Sequence, residues 1–153
     1  LVMQFNDREQ ERRVAFSTNG YQERIDKPWG YEVVFTPSTL ARTGKLIFVR
    51  GGCKLSLQYH DQKEETFCLV QGEAMLWIEN AQGVIERKSM VHHSGYTIAV
   101  NQKHRIEAIT DALIFEVSCP ETGTTVRVDD EYQREHETDI VRQLPNRGWQ
   151  QEP

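Results

Sequence analysis

Long apolar runs are missing from this chain of 153 residues. No stretch approaches the roughly 20 apolar residues of a membrane-spanning helix. The N-terminus also lacks the charged region followed by an apolar one that secretory leaders carry, so a cytoplasmic location is expected. Positive charge is scarce. Eighteen Lys and Arg face 23 Asp and Glu, a net charge of −5 with no basic run, which excludes a nucleic-acid footprint of the usual kind. Cysteine is sparse and odd in number: Cys53, Cys68 and Cys119 match neither a CxxC redox motif nor a zinc spacing. Each lies in or beside an apolar strand pattern, so buried, inert thiols are expected rather than a nucleophile served by His104. Repeats and low-complexity tracts are absent, and no helix-period segment interrupts the chain before Val128.

What is present is period-two alternation. From Tyr31 onward YEVVF, KLIFV, KLSLQYH, TFCLV and AMLWIE follow one another, then VIERK, YTIAV, HRIEAI and ALIFEV, about nine short strands in all. Turn signals separate them, including Asn80-Ala81-Gln82-Gly83, where Gly83 supplies the positive φ of a hairpin. Regularly spaced short strands predict an all-β antiparallel sandwich or barrel, and 153 residues suffice for one domain with a real core. The predicted layout has a flexible or partner-exchanged arm over 1–20 and a barrel over 21–128. Over 129–153 it has a short surface helix, capped by Asp129 or Asp130, with a tail that frays beyond Pro145 and Gly148.

The stretch from Gly52 to Gly72 carries the most chemistry. Five residues separate Gly52 from Gln58-x-His60; four more lead to Glu65 and six more to Gly72. Side chains alternate faces along a strand, so Ser56, Gln58 and His60 share one face and Glu65, Phe67 and Leu69 share another. His104 opens a third such set with Ile106 and Ala108. If Gln58, His60, Glu65 and His104 point into one barrel, two imidazoles, a carboxylate and an amide oxygen converge. That mixed N/O set suits zinc, iron, manganese, nickel or cobalt and leaves positions open for water or substrate. Glu64 is an alternative to Glu65, and Gln62 to Gln58; strand parity and the glycine spacing favour Glu65 and Gln58.

Lys54 and Glu64 are the candidate catalytic residues, with Lys63 and Glu116 as further candidate bases or substrate contacts. Lys45, Arg50 and Arg105 are candidates to meet a phosphate or carboxylate, although such strand residues are more often solvated. His92 and His93 precede the strand leading to His104 and are candidates for the barrel mouth or a dimer surface. Trp29, Trp77 and Tyr59 offer stacking faces, with Trp77 more at home in the core.

The run G-x5-Q-x-H-x4-E-x6-G resembles the first cupin motif, with Gln58 where histidine is usual. The stretch Ala99 to His104 resembles the second motif, with Asn101 at its glycine position and Ala99 where that motif has proline. Asn tolerates the left-handed backbone better than most residues. With KPWGYE, SLQYH, HRIEA and EVSCPE, the likeness is to the small mannose-6-phosphate-isomerase-like cupins and covers roughly 26–130. It implies a double-stranded β-helix, the cupin jelly-roll barrel, with a short C-terminal helix. Zinc phosphomannose isomerases are similar locally, which implies Gln58, His60, Glu65 and His104 as ligands of one divalent ion per chain. Zinc is expected, with iron, manganese or nickel as alternatives. The large helical insert and phosphate-binding residues of those isomerases have no counterpart here.

The function this implies is a metal-dependent isomerase or epimerase acting on a small carbohydrate-derived or sugar-phosphate-like substrate. An iron-dependent dioxygenase is one alternative, and a non-catalytic sugar-binding or regulatory cupin another. An apolar outer face over Leu55, Leu57 and Tyr59 calls for a partner, and a homodimer with residues 5–25 contributing is expected.

Overall fold

The structure, a computed structural model, describes residues 16–150. Eleven strands run in the order β1 (Glu23–Lys27), β2 (Gly30–Val34), β3 (Thr43–Val49), β4 (Leu57–His60), β5 (Glu65–Gln71), β6 (Ala74–Glu79), β7 (Ile85–Ser89), β8 (Gly95–Ile98), β9 (His104–Ala108), β10 (Ala112–Ser118) and β11 (Thr125–Asp129). They form two sheets with antiparallel pairing throughout, β1-β2-β3-β10-β5-β8 and β11-β4-β9-β6-β7. The two sheets face each other as a jelly-roll barrel.

The barrel interior is sorted along its length. Reading inward positions along β3, β5, β9 and β10, apolar residues give way to ionisable ones: Val49 and Ile47 to Lys45, Leu69 and Phe67 to Glu65, Ala108 and Ile106 to His104, Ile114 to Glu116. One end is therefore a packed hydrophobic core, with Leu76, Ile98 and Trp29 completing it. The other end is a buried cluster of charges, and burying charge demands partners.

Several expectations are corrected. β1 and β11 add two strands to the nine predicted. No helix starts at Asp129 or Asp130, because β11 continues through Asp129 and Asp130 instead accepts hydrogen bonds from the backbone and guanidinium of Arg134. The chain then folds back, and Glu137 pairs with Thr125. The only α-helix among the described residues is the single turn α1 (Asp139–Arg142), capped by the Thr138 hydroxyl. Pro145–Gly148 makes contacts of its own. Asn146 accepts from the Asp26 amide through its side chain, and Arg147 turns inward onto Glu121 and Glu137. Residues 151–153 lie outside the described residues, as does most of the 1–20 arm.

The proposed outer apolar face also changes. Lys54 makes only an isolated bridge to Glu107, and the chain twists so that Leu55 and Ser56 are both buried before β4 begins. Leu57 and Tyr59 are half-buried, while Phe35, Phe115 and Val117 are exposed on the six-stranded sheet. The three cysteines are half-buried free thiols. No helix among the described residues is long and apolar enough to cross a membrane.

Candidate metal centre

Three elements bring the candidate ligands together. His60 ends β4, Glu65 opens β5 after a four-residue turn, and His104 opens β9. Gln58 and His104 are directly paired across β4 and β9, so their side chains lie on the same face. The histidines belong to the five-stranded sheet and Glu65 to the other, so the cluster bridges the barrel. The frame glycines serve the turns. Gly72 sits at φ 81°, and a Cβ there would lie 2.0 Å from the Asp111 carbonyl oxygen. Asn101 adopts φ 65°, the left-handed backbone expected of it, and donates its amide to the His60 carbonyl at 2.8 Å. It thereby ties the turn before β9 to the end of β4. Asn101→Gly should leave the melting temperature nearly unchanged, whereas Asn101→Val, forced left-handed, should cost about 1–2 kcal/mol by denaturant titration.

Ligand-type atoms of His60, Glu65 and His104 all lie within 4.8 Å of one another, and all three residues are buried. Both imidazole Nε2 atoms meet the same carboxylate oxygen, Glu65 Oε1, at 2.9 Å from His60 and 2.8 Å from His104. The two contacts differ in kind. His60 Nε2 is placed to hydrogen-bond with Oε1, while His104 Nε2 is buried and has no hydrogen-bond partner despite its closeness. On its other side, His104 Nδ1 donates to the Gln102 carbonyl at 2.9 Å, which leaves a lone pair on Nε2 of the neutral ring. A buried lone pair beside a carboxylate oxygen is repulsive, and a bound cation turns that repulsion into attraction. His60 Nδ1 lies 2.9 Å from Thr125 Oγ1, a hydroxyl that donates to it while Nε2 donates to Glu65 and that can accept from it once Nε2 is a ligand. The donor set therefore fits a divalent ion. Gln58 is half-buried beside it, with Oε1 accepting from the Ser56 hydroxyl at 2.7 Å.

The electrostatics agree with ligands in their deprotonated forms. Burial, outweighing the neighbouring Glu65, holds the His60 imidazole below its ordinary pKa. Burial alone would raise Glu65, but the Lys63 ammonium beside it brings it well below the usual carboxylate range. Lys63 is wedged between carboxylates, 2.7 Å from Glu65 and 3.0 Å from Glu116, and these override burial to raise its pKa well above normal. Glu116 is different: burial raises it, and Lys45 and Lys63 only partly offset that.

Lys45 and Arg105, taken as solvated, are 2 % and 3 % exposed. Lys45 pairs with Glu32 and Glu121, and Arg105 with Asp129 and the Leu55 carbonyl. Lys54 and Glu64 lie apart from the cluster. Lys54 reaches the exposed Glu131 at 2.8 Å, and Glu64 is exposed. Arg50 is exposed and hydrogen-bonds the Pro28 carbonyl, and His92 contacts the Gly72 carbonyl, so neither joins the site. Trp29 lines the inner cavity, whereas Trp77 is half-buried outside it, hydrogen-bonded to Glu107.

Sequence reasoning missed Lys27, Glu32, Glu121, Glu137 and Arg147, all of which line the same cavity as the cluster. Glu32 was detectable, since it holds an inward parity position between Gly30 and Val34. The cavity offers about 40 Å³, room for an ion with a few waters, so a substrate would enter it with its reacting end only.

No family model matches the chain, and no curated protein matches it. Solved structures do. The capsular polysaccharide assembling protein CapF of Staphylococcus aureus aligns at TM-score 0.58 and 16% identity, over 82% of this chain and 33% of that one. Oxalate decarboxylase of Lactobacillus farciminis aligns at 0.59 and 16%, over 70% of this chain and 33% of that one. KdgF of Halomonas sp. aligns at 0.56 and 15%, over 65% of this chain and 88% of that one. The chain thus spans about a third of the length of the first two. Two facing antiparallel sheets, aligned with these structures, give the chain the double-stranded β-helix fold of the cupins.

Proposed function

We propose that the chain is a metal-dependent cupin enzyme that isomerises or epimerises a small carbohydrate-derived substrate. His60, Glu65 and His104 would hold one divalent ion, with Gln58 as the fourth protein ligand and zinc as the expected metal. The observation that carries this reading is the buried, unpartnered Nε2 of His104 beside Glu65 Oε1. A divalent ion bound there supplies polarisation of a substrate oxygen.

The chain's own residues supply the rest. Lys63 holds Glu65 ionised and orients Glu116 through its second contact. Glu116, the buried carboxyl with raised proton affinity, is suited to take up and return a proton. Lys63 and Glu116 therefore take the roles first assigned to Lys54 and Glu64. A capsular polysaccharide assembling protein among the similar structures is in keeping with a carbohydrate substrate.

The test is elemental analysis of protein purified without added metal, followed by deuterium incorporation from heavy water into a panel of sugars and sugar phosphates. Glu116→Gln should retain the metal and slow exchange by roughly 10²–10⁴, while Lys54→Ala and Glu64→Ala leave exchange unchanged. Metal-free protein would sink the proposal, and bound iron with oxygen uptake would replace it with the dioxygenase reading.

A further inference from the structure

The groups that would act on a substrate are nearly sealed. His60, Glu65, His104 and Glu116 are at most 4% exposed, so part of the cavity wall must move before a substrate reaches them. Much of that wall is strand, hydrogen-bonded into one of the two sheets. Residues 138–150 are held otherwise. Neither α1 nor Pro145–Gly148 buries a residue, and Ile140 and Leu144 are 75% and 49% exposed. The tethers are polar: Asn146 accepts from the Asp26 amide, Arg142 donates to the Gly123 carbonyl, and Arg147 reaches Glu121 and Glu137. Trp149 adds an edge-on contact with Tyr132.

Within this segment it is Arg147 that lines the inner cavity. Asn146 and Arg147 hold left-handed backbone, φ 46° and 52°, which L-residues adopt where surrounding contacts offset the cost. For Arg147 those contacts are ionic. Lys27, Glu32, Lys45, Glu121, Arg147 and Glu137 form a closed ring of alternating charge, each within 4.0 Å of the next. Lifting Arg147 out breaks two of the six links, those at 2.6 and 2.8 Å. Glu121 then keeps Lys45, and Glu137 keeps Lys27 and Arg127. Opening is therefore uphill, but it leaves no ion of the ring without a partner, and Arg147 itself passes into water. Glu137 stays with the barrel through its backbone pairing with Thr125, which puts the hinge between Glu137 and Thr138.

We infer that residues 138–150 are a lid, latched by Arg147, whose lifting opens the inner cavity to substrate. That the cavity holds a reaction centre is the reading proposed above, and the lid's purpose rests on it.

The test does not require the metal. Chelator-treated protein is exposed to diethyl pyrocarbonate, and modification of each histidine is followed by peptide mass spectrometry. His92 is exposed and serves as the internal standard. Amide exchange is followed in parallel, because the Asp26 amide of edge strand β1 is bonded to Asn146 of the lid. The slowing of His60 and His104 relative to His92 should match the protection of Asp26 within about threefold, with β5 amides at least about tenfold better protected. Arg147→Gln should speed His60, His104 and Asp26 together by at least about tenfold and leave His92 unchanged. Leu76→Ala, in the apolar core, should weaken β5 protection and leave both buried histidines unchanged. The wild-type comparison stands even if a variant fails to fold. Protein isolated without metal would sink the function proposed above, and these rates would still decide the lid. Modification of His60 and His104 as fast as His92, protection of the pair equal to that of β5, an Asp26 amide that does not track them, or wild-type rates in Arg147→Gln would overturn the inference.

Discussion

Glu65→Gln should strip the chain of its divalent ion, lowering metal affinity by at least about 100-fold, beyond the effect of a typical supporting residue. Its carboxylate oxygen is the atom both imidazoles meet, so its charge cannot be replaced by either histidine. His104→Ala should do nearly as much. Gln58→Ala should cost less, roughly tenfold, because an amide oxygen is a weak donor and Gln58 is already engaged by Ser56. Metal content by elemental analysis and affinity by competition with a chromogenic chelator measure all three. If Gln58→Ala and His104→Ala both keep full occupancy, the ligand assignment fails.

Acid should act on the same site in a defined window. Neutral imidazole is the ligand form, and His60 is held below its ordinary value of 6.5. It therefore takes up its proton at lower pH than a free imidazole does, and its share of metal release should fall below pH 6.5.

Period-two parity carried the central site well, because Glu65 alternates with outward positions along β5 as Phe67 and Leu69 do, and His60 and His104 fall at buried positions two residues from Gln58 and Ile106. Asn101 was legible for a local reason, its tolerance of a left-handed backbone. Parity failed where inward positions are charged. In β1 and β11 the sequences ERIDK and TVRVD mix one or two apolar residues with charge, and hydrophobic alternation does not register them. Lys45 and Arg105 were read as solvated for the same cause. Their partners, Glu121 and Asp129, lie 76 and 24 residues further along the chain, so nothing local marks them as buried. Leu55 was misplaced because one irregular step before β4 reverses parity, and such a step has no hydrophobic signature. Arg147 was hardest to foresee: a single arginine in a polar tail, beyond a proline, closes the inner cavity over the metal cluster.

Arg147→Ala should destabilise the fold by about 3–5 kcal/mol, the usual result of removing one partner from a buried ion pair. Its side chain is 8% exposed and reaches Glu121 at 2.6 Å and Glu137 at 2.8 Å. Without it Glu137 loses its nearest cation and Glu121 loses one of its two, keeping only Lys45. Arg24→Ala is the control, since Arg24 and Asp26 are 59% and 44% exposed and such a pair contributes about 1 kcal/mol or less.

The pH dependence separates charge from packing. Burial would raise both carboxyls, but Lys45 and Arg147 hold Glu121 well below its ordinary 4.5, and Lys27 and Arg147 do the same for Glu137. A carboxyl depressed on folding contributes stability that is fully present above its unfolded pKa and is lost as pH falls through its folded one. For this pair that loss begins below about 4.5. In Arg147→Ala the depression is relieved, so the variant gives up stability it would otherwise hold at neutral pH and has less to lose in acid. Denaturant titrations at pH 7 and near pH 3 should therefore show the gap between wild type and variant narrowing as pH falls. A gap of the same size at both would mean that Arg147 stabilises by filling space, and that the charge sorting of the barrel mouth contributes nothing to the fold.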